Sequence, residues 1–123
     1  MRSGNDPTCL VGEALSAVSF VRDYVEFHFD GPILRSLNDP IVRHAATQVT
    51  CSDSGWRDAL CSIIGGVIER VDMVSGDRIE LRTTDGKQLV VPLDEAARVG
   101  PEAAHFVPAE EDGRLRVKDM LIW

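Results

Sequence analysis

Apolar and polar residues alternate along two segments of the chain, residues 10–40 and 63–94, and they do so in the same order. In each segment two alternating stretches are separated by a short polar turn, an Asp-Gly pair follows, and a third apolar run ends the segment. Alternation with a period of two indicates a half-buried strand, and Asp-Gly favours a tight hairpin turn. The sequence therefore predicts two three-stranded antiparallel meanders, related by an internal repeat. The superposed residues include Gly12 and Gly65, Leu15 and Ile68, Val18 and Val71, Glu26 and Glu80, Phe27 and Leu81, and Leu34 and Leu89.

An amphipathic helix is predicted between the two copies, over about residues 54–64. Its apolar residues stand at the spacing i, i+3, i+4, i+7 and i+8, which places them on one face of a helix. Polar residues at 52–54 offer an N-cap, and Gly65-Gly66 offers a stop. We expect this face to pack on the sheet. The residues of the stripe are Trp56, Ala59, Leu60, Ile63 and Ile64.

The other segments give weaker signals. Residues 1–9 are polar and contain glycine and proline, which predicts a loose arm. Residues 41–50 suit a strand or a helix, and their β-branched ends favour the strand. A last strand is predicted over residues 114–118. The apolar end, Met120-Leu121-Ile122-Trp123, is expected to close one edge of a sheet or to form a dimer interface.

These elements predict an α+β fold that is mainly antiparallel β. Each meander has an apolar face that it cannot bury alone, so the two copies should pack with pseudo-two-fold symmetry, as a sandwich or a partly open barrel. With 123 residues, the chain is expected to form a single domain over 1–123.

Charge and cysteine content narrow the classes of partner and compartment. The net charge of −7 argues against a nucleic-acid partner and favours a basic protein. The N-terminus lacks the pattern of a secretory signal, and no apolar stretch is long enough to span a membrane, so we expect a cytoplasmic protein without membrane contact. Cys9, Cys51 and Cys61 are odd in number and contain no C-x-x-C pair, which fits reduced thiols.

The sequence gives little support for catalysis. His28, His44 and His105 do not stand at metal-ligand spacing with one another or with the cysteines, so no metal site and no cofactor are predicted. Cys61 is expected to be a small buried residue beside the helical stripe rather than a nucleophile. Phosphate-loop and hydrolase motifs are also missing from the sequence.

One candidate surface remains, on the outer face of the first meander. If Val25 and Phe27 point inward, Tyr24, Glu26 and His28 share the opposite face and combine an aromatic ring, a charge and an imidazole. Such mixtures are common at protein interfaces. Glu80 holds the equivalent place in the second copy, so these four residues are the predicted binding set. Outward glutamates on strands are usually only solvated, which argues against a symmetric acid/base pair.

The runs FVRDYVEFHFDGP (20–32), WRDALCSIIGGVI (56–68) and GPEAAHFV (100–107), with a terminal Trp123, resemble a family of small uncharacterised bacterial proteins. That family shares a DYV-x-F-x-FDGP hairpin, a DALC-x-x-IG helix and a GPE segment. Small acidic proteins of this kind are often immunity proteins, and the resemblance implies no catalytic residues.

Three functions are therefore expected in order of preference. The first is a non-enzymatic immunity protein, monomer or homodimer, that occludes a basic toxin. The second is an anti-defence or regulatory protein that mimics nucleic-acid charge, which requires contiguous carboxylates. The third is a small-ligand module or enzyme with a pocket between the meanders, lined by His28 or His105.

Overall fold

The computed structural model describes residues 4–123, which fold into two five-stranded antiparallel sheets. The sheets pack as a sandwich and are not closed into a barrel. The elements are β1 (Ala17–Val21), β2 (Tyr24–His28), β3 (Ile33–Ser36), β4 (Ile41–His44), β5 (Thr47–Val49), α1 (Trp56–Cys61), β6 (Ile68–Val74), β7 (Arg78–Thr83), β8 (Gln88–Pro92), β9 (Ala104–Val107) and β10 (Leu121–Ile122). The first sheet has the order β1-β2-β3-β9-β10, and the second has the order β5-β4-β8-β7-β6.

Both predicted meanders are present, as β1-β2-β3 and β6-β7-β8. Their registers agree except at the start of β6, where the pairing with β7 is shifted by an irregularity. Phe27 pairs with Leu34 in the first copy, and Leu81 pairs with Leu89 in the second. The repeat read from the alternation of apolar residues is therefore confirmed.

A pseudo-two-fold relationship joins the two copies just before their first strands. The amide of Gly12 donates to the carbonyl of Ile68 at 2.7 Å, and the amide of Gly65 donates to the carbonyl of Leu15 at 2.8 Å. These two hydrogen bonds are exchanged by the superposition of Gly12 on Gly65 and Leu15 on Ile68. The packing of one copy against the other is thus fixed by backbone hydrogen bonds as well as by apolar side chains.

The strands outside the meanders are exchanged between the sheets. The hairpin β4-β5 follows the first meander in the chain but pairs with β8 of the second. In return, β9 follows the second meander but pairs with β3 of the first, and β10 pairs with β9. Each copy therefore completes the sheet of the other, a connection that no local pattern predicted.

Side chains from the inner faces of both sheets form the hydrophobic core. Burying a side chain of this size contributes about 1.5–3 kcal/mol before the loss of conformational entropy is subtracted. The largest fully buried residues include Phe27, Phe29, Leu34 and Phe106 of the first sheet and its loops, and Ile79, Leu81 and Val91 of the second sheet.

The helix is shorter than predicted. Its N-cap is Gly55 in the left-handed conformation, so none of the polar residues at 52–54 caps it. Leu60 and Ile63 are buried as expected, but Ile64 is 44% exposed because the helix ends at Cys61 and the turn that follows rotates Ile64 outward. The expectation for Cys61 was wrong, since this side chain is exposed.

Several other segments differ from the sequence predictions. The stretch 41–50 is a hairpin of two strands, β4 and β5, rather than one strand. Residues 114–118 form no strand, and β9 was not predicted. The apolar C-terminus does add an edge strand, β10, as expected.

Of the predicted N-terminal arm, residues 1–3 lie outside the described residues, and Pro7–Leu10 form a 3₁₀ helix with Pro7 and Leu10 buried. Between residues 4 and 123, no helix has the length and apolar character that a membrane span requires.

Candidate functional site

The outer face of β2 carries the predicted residues Tyr24, Glu26 and His28. All three are half-buried, whereas Val25 and Phe27 between them are buried in the core. The predicted alternation of this strand is therefore confirmed. It brings the three polar side chains together on one surface of the first sheet.

Glu26 is bound by Arg35, which lies directly opposite it on β3. The Nε and Nη2 atoms of Arg35 approach the Oε2 atom of Glu26 at 2.9 and 2.8 Å. The side chains are only 15% and 22% exposed, so the pair is partly shielded from water. Such a two-donor contact fixes the guanidinium plane as well as its position.

Arg35 also contacts His105 on β9, the neighbouring strand. Its Nη1 atom lies 2.9 Å from Nδ1 of His105, and Nε2 of His105 lies 2.8 Å from Oε1 of Glu102. A guanidinium can only donate, so Nδ1 must accept, and the proton of the neutral ring resides on Nε2 and is donated to Glu102. The two partners thereby select one tautomer of His105.

Tyr24 and His28 complete this set of contacts. The guanidinium carbon of Arg35 lies 5.0 Å from the centre of the Tyr24 ring, within the range of a cation–π contact. Nε2 of His28 is 3.3 Å from both Oε1 of Glu26 and Oγ of Ser19 on β1. The contacts run across β1, β2, β3 and β9. We call this set the outer-face network: Ser19, Tyr24, Glu26, His28, Arg35, Glu102 and His105.

Glu80 does not join this network. It lies on β7 of the second sheet, where its Oε1 atom is 3.3 Å from Nε of Arg78 and 3.8 Å from Nη1 of Arg43. Glu26 and Glu80 are equivalent in the repeat, and each is neutralised by arginine, but they occupy the outer faces of two different sheets. The four residues predicted as one binding set thus form two separate surfaces.

The thiols and acidic residues show no metal centre. Within residues 4–123, no group of three or more histidine, cysteine, aspartate or glutamate side chains could hold a metal ion.

Cys9, Cys51 and Cys61 are free thiols. Partial loss of hydration raises the pKa of Cys51, as does the hydrogen bond from its Sγ atom to Oδ2 of Asp39 at 3.3 Å.

A cleft of about 500 Å³ opens at one end of the first sheet, between the β1-β2 turn, the start of α1 and residues 99–102. Neither His28 nor His105 lines it, and among the residues described around it none belongs to β6, β7 or β8. The space between the meanders is instead filled by side chains such as Phe27 and Leu81, both 0% exposed. The cleft is therefore not the pocket between the meanders that the sequence suggested. Its lining includes Phe20, Arg22, Tyr24, Trp56, Arg57 and Glu102.

In comparisons with known proteins, no family model matches this chain, and neither a curated protein nor a solved structure was found to be similar to it.

Proposed function

We propose that the chain is a non-enzymatic protein-binding module whose contact surface is centred on the outer-face network. In its most specific form, the proposal is an immunity protein that neutralises a basic toxin by covering the toxin's functional surface. The observation that carries it is that Arg35 donates hydrogen bonds to both Glu26 and His105, which joins side chains of three strands of the sheet.

This surface is pre-organised for docking. Tyrosine and arginine are among the residues most enriched at the energetic centres of interfaces, and here Arg35 is stacked on Tyr24 and held by Glu26. Side chains that are already ordered lose less conformational entropy when a partner binds. A partner should therefore bind this network at a smaller entropic cost than it would bind a surface of freely moving charged side chains.

The same contacts give little support for acid/base catalysis at Glu26. Its two carboxylate oxygens are already engaged, Oε2 by Arg35 and Oε1 by His28. A general base needs a free lone pair within reach of the substrate proton. Proton abstraction by Oε2 would first have to break its two contacts with Arg35, which are the strongest of the network and leave only the weakly held Oε1.

The distribution of charge favours a protein partner over mimicry of a nucleic acid. On the second sheet, acidic residues alternate with arginines in pairs, as in Arg70 with Asp72 and Arg82 with Glu69. Mimicry requires contiguous carboxylates, which these pairs interrupt. The excess of seven negative charges still raises the rate of encounter with a basic partner.

The test is binding to the product of the neighbouring gene, measured by surface plasmon resonance with Tyr24→Ala and Arg35→Lys. We expect each variant to weaken binding by about 10- to 30-fold, because hot-spot residues contribute roughly 1.4–2 kcal/mol or more. Arg35→Lys keeps the charge and removes the two-donor geometry. Arg70→Lys on the second sheet is the matched control and should leave the affinity unchanged.

Two further measurements complete this test. The association rate should fall as salt concentration rises, while the dissociation rate changes little. The melting temperature of each variant shows whether it is folded. Failure of the neighbouring gene product to bind, or an equal loss of affinity in Arg35→Lys and Arg70→Lys, would contradict the proposal.

A further inference from the structure

The cleft at the end of the first sheet has aromatic walls that are held in place. Phe20 and Trp56 meet edge to face, with ring centres 6.1 Å apart. The indole Nε1 of Trp56 donates to the carbonyl of Pro40 at 2.9 Å, which fixes the orientation of this ring. Tyr24 lines the same cleft. Aromatic walls of this kind accept a planar ring by stacking or by edge contacts.

The cleft also holds arginines that lack an acidic partner. Among the arginines from residue 4 onward, all except Arg22, Arg57 and Arg98 have a carboxylate oxygen within 4.0 Å. Arg22 and Arg57 both line the cleft. Arg98 donates to the carbonyl of Pro101, which is another lining residue. Of the arginines that the structure describes, those without a carboxylate thus lie in or beside one cleft, in a chain with a net charge of −7.

The side chain of Arg57 is held against an aromatic ring. Its guanidinium carbon lies 5.2 Å from the centre of the Phe20 ring. A guanidinium that rests on an aromatic face keeps the N–H groups at its edge available for an oxyanion, which it can bind through two parallel hydrogen bonds.

Carboxylates line the cleft too, but they do not neutralise these arginines. Glu102 accepts from His105, and Asp39 accepts from the thiol of Cys51. Asp23 is exposed in the β1-β2 turn. Within the described part of the chain, none of these three carboxylates comes within 4.0 Å of a nitrogen of Arg22 or Arg57. The donors of the two arginines remain open to a ligand.

We infer that this cleft binds a small molecule composed of a planar ring that carries an oxyanion, either a carboxylate or a phosphate. The ring lies against Phe20 and Trp56, and the oxyanion lies against Arg22 and Arg57. The volume of about 500 Å³ falls within the usual range of small-molecule sites, about 300–1,000 Å³. The cleft is distinct from the proposed docking surface, although Tyr24 and Glu102 border both.

The inference is tested by isothermal titration calorimetry on the full chain with two probes, adenosine 5′-monophosphate and indole-3-acetate. Adenosine and indole, which lack the oxyanion, are the controls. We expect saturable binding of at least one charged probe and at least 10-fold weaker binding of its uncharged counterpart. Binding of the nucleotide alone identifies a phosphate site, and binding of indole-3-acetate alone identifies a carboxylate site.

The variants Arg57→Gln and Arg22→Gln should each weaken binding at least 10-fold. Arg70→Gln removes the same charge from the second sheet and should have no effect. In a nitrogen–proton NMR spectrum, the probe should shift the indole N–H signal of Trp56 and leave that of Trp123 in place. The inference is overturned if neither charged probe binds saturably, if Arg57→Gln and Arg70→Gln bind alike, or if the Trp56 signal does not move.

Discussion

Phe27 and Leu81 occupy the same position in two different sheets. Each lies on the middle strand of a meander, each is 0% exposed, and each pairs with a leucine on the third strand, Leu34 or Leu89. The two side chains belong to one core, because the inner faces of the sheets pack against each other. The core is therefore built from two similar halves, and equivalent substitutions in the two copies should have similar effects.

Gly12 and Gly65 provide a direct test of this symmetry. They have φ angles of +90° and +91°, which are unfavourable for residues with a Cβ atom, and the space around each is open. We expect Gly12→Ala and Gly65→Ala each to lower the free energy of unfolding by about 1 kcal/mol, through backbone strain alone. Urea denaturation measures both losses.

Gly100 is the control for this pair, because its surroundings are open and its φ is not in the left-handed range. Gly100→Ala should leave stability unchanged or raise it slightly. A large difference between the losses at Gly12 and Gly65 would show that the two junctions do not contribute equally.

The helical stripe gives a second prediction, in which two residues of one predicted face behave differently. Leu60 is 0% exposed and Ile64 is 44% exposed. Leu60→Ala should cost about 2–5 kcal/mol, because it leaves a cavity in the core. Ile64→Ala should cost less than about 1 kcal/mol, because the side chain is already half in water. Chemical denaturation of the two variants measures the difference, and equal losses would contradict the placement of Ile64.

The meanders could be predicted because their signals are local. The inward direction of Phe27 and Leu81 follows from alternation, and the hairpin between β7 and β8 follows from Asp85-Gly86. The turn of the β4-β5 hairpin gave no such signal. Ala45 has a φ of +55°, a conformation usually taken by glycine or asparagine, so the sequence contains no turn residue at this point.

The exchange of strands between the sheets could not be predicted for a different reason. In β9, Ala104, Phe106 and Val107 are all buried, so this strand lacks the alternation of a half-buried strand. Its pairing with β3 joins residues about seventy positions apart, as in Arg35 with His105. The local sequence of β9 does not indicate that it pairs with a strand so distant in the chain.

The candidate surface could likewise be predicted only where its contacts depend on neighbouring strands of one meander. Tyr24, Glu26 and His28 share a face because they alternate along one strand, and the register of the β2-β3 hairpin places Arg35 opposite Glu26. The contact of His105 with Arg35 could not be predicted, since it depends on the pairing of β9 with β3. Glu80 lies apart from these residues because equivalent outward residues of two packed meanders lie on two different outer faces.

The contact between Glu26 and Arg35 gives a third prediction. A double-mutant cycle with Glu26→Gln and Arg35→Gln should yield a coupling energy of about 1 kcal/mol, because the pair is partly shielded and joined by two hydrogen bonds. Glu69 and Arg82 form the control pair on the second sheet. Their side chains are both 47% exposed and 3.4 Å apart, so we expect a coupling of at most about 0.5 kcal/mol.

Thermal or urea denaturation of the four proteins in each cycle gives these energies. A coupling at Glu26 and Arg35 no larger than that of the control pair would mean that the network is not held together by this contact. The pre-organisation on which the docking proposal depends would then be missing.

The thiol of Cys51 supplies the last prediction. Its pKa lies above the ordinary value of a cysteine thiol, first because the sulfur has lost part of its hydration and then because it donates to Asp39. Only the thiolate is alkylated at an appreciable rate, so a raised pKa means slow reaction near neutral pH. Asp39→Asn removes a negative charge that opposes ionisation, so the pKa should fall and alkylation should become faster.

Iodoacetamide labelling followed by mass spectrometry of the peptide that contains Cys51 measures this rate as a function of pH. The midpoint of the rate profile should move to lower pH in Asp39→Asn. Asp53→Asn should move it in the same direction by a smaller amount, because Asp53 is the weakest of the causes that raise this pKa. Cys61, which is exposed like Cys51, is an internal reference for the reactivity of the reagent towards a thiol in the folded protein. An unchanged profile for Cys51 in Asp39→Asn would mean that the hydrogen bond between the thiol and Asp39 does not form in solution.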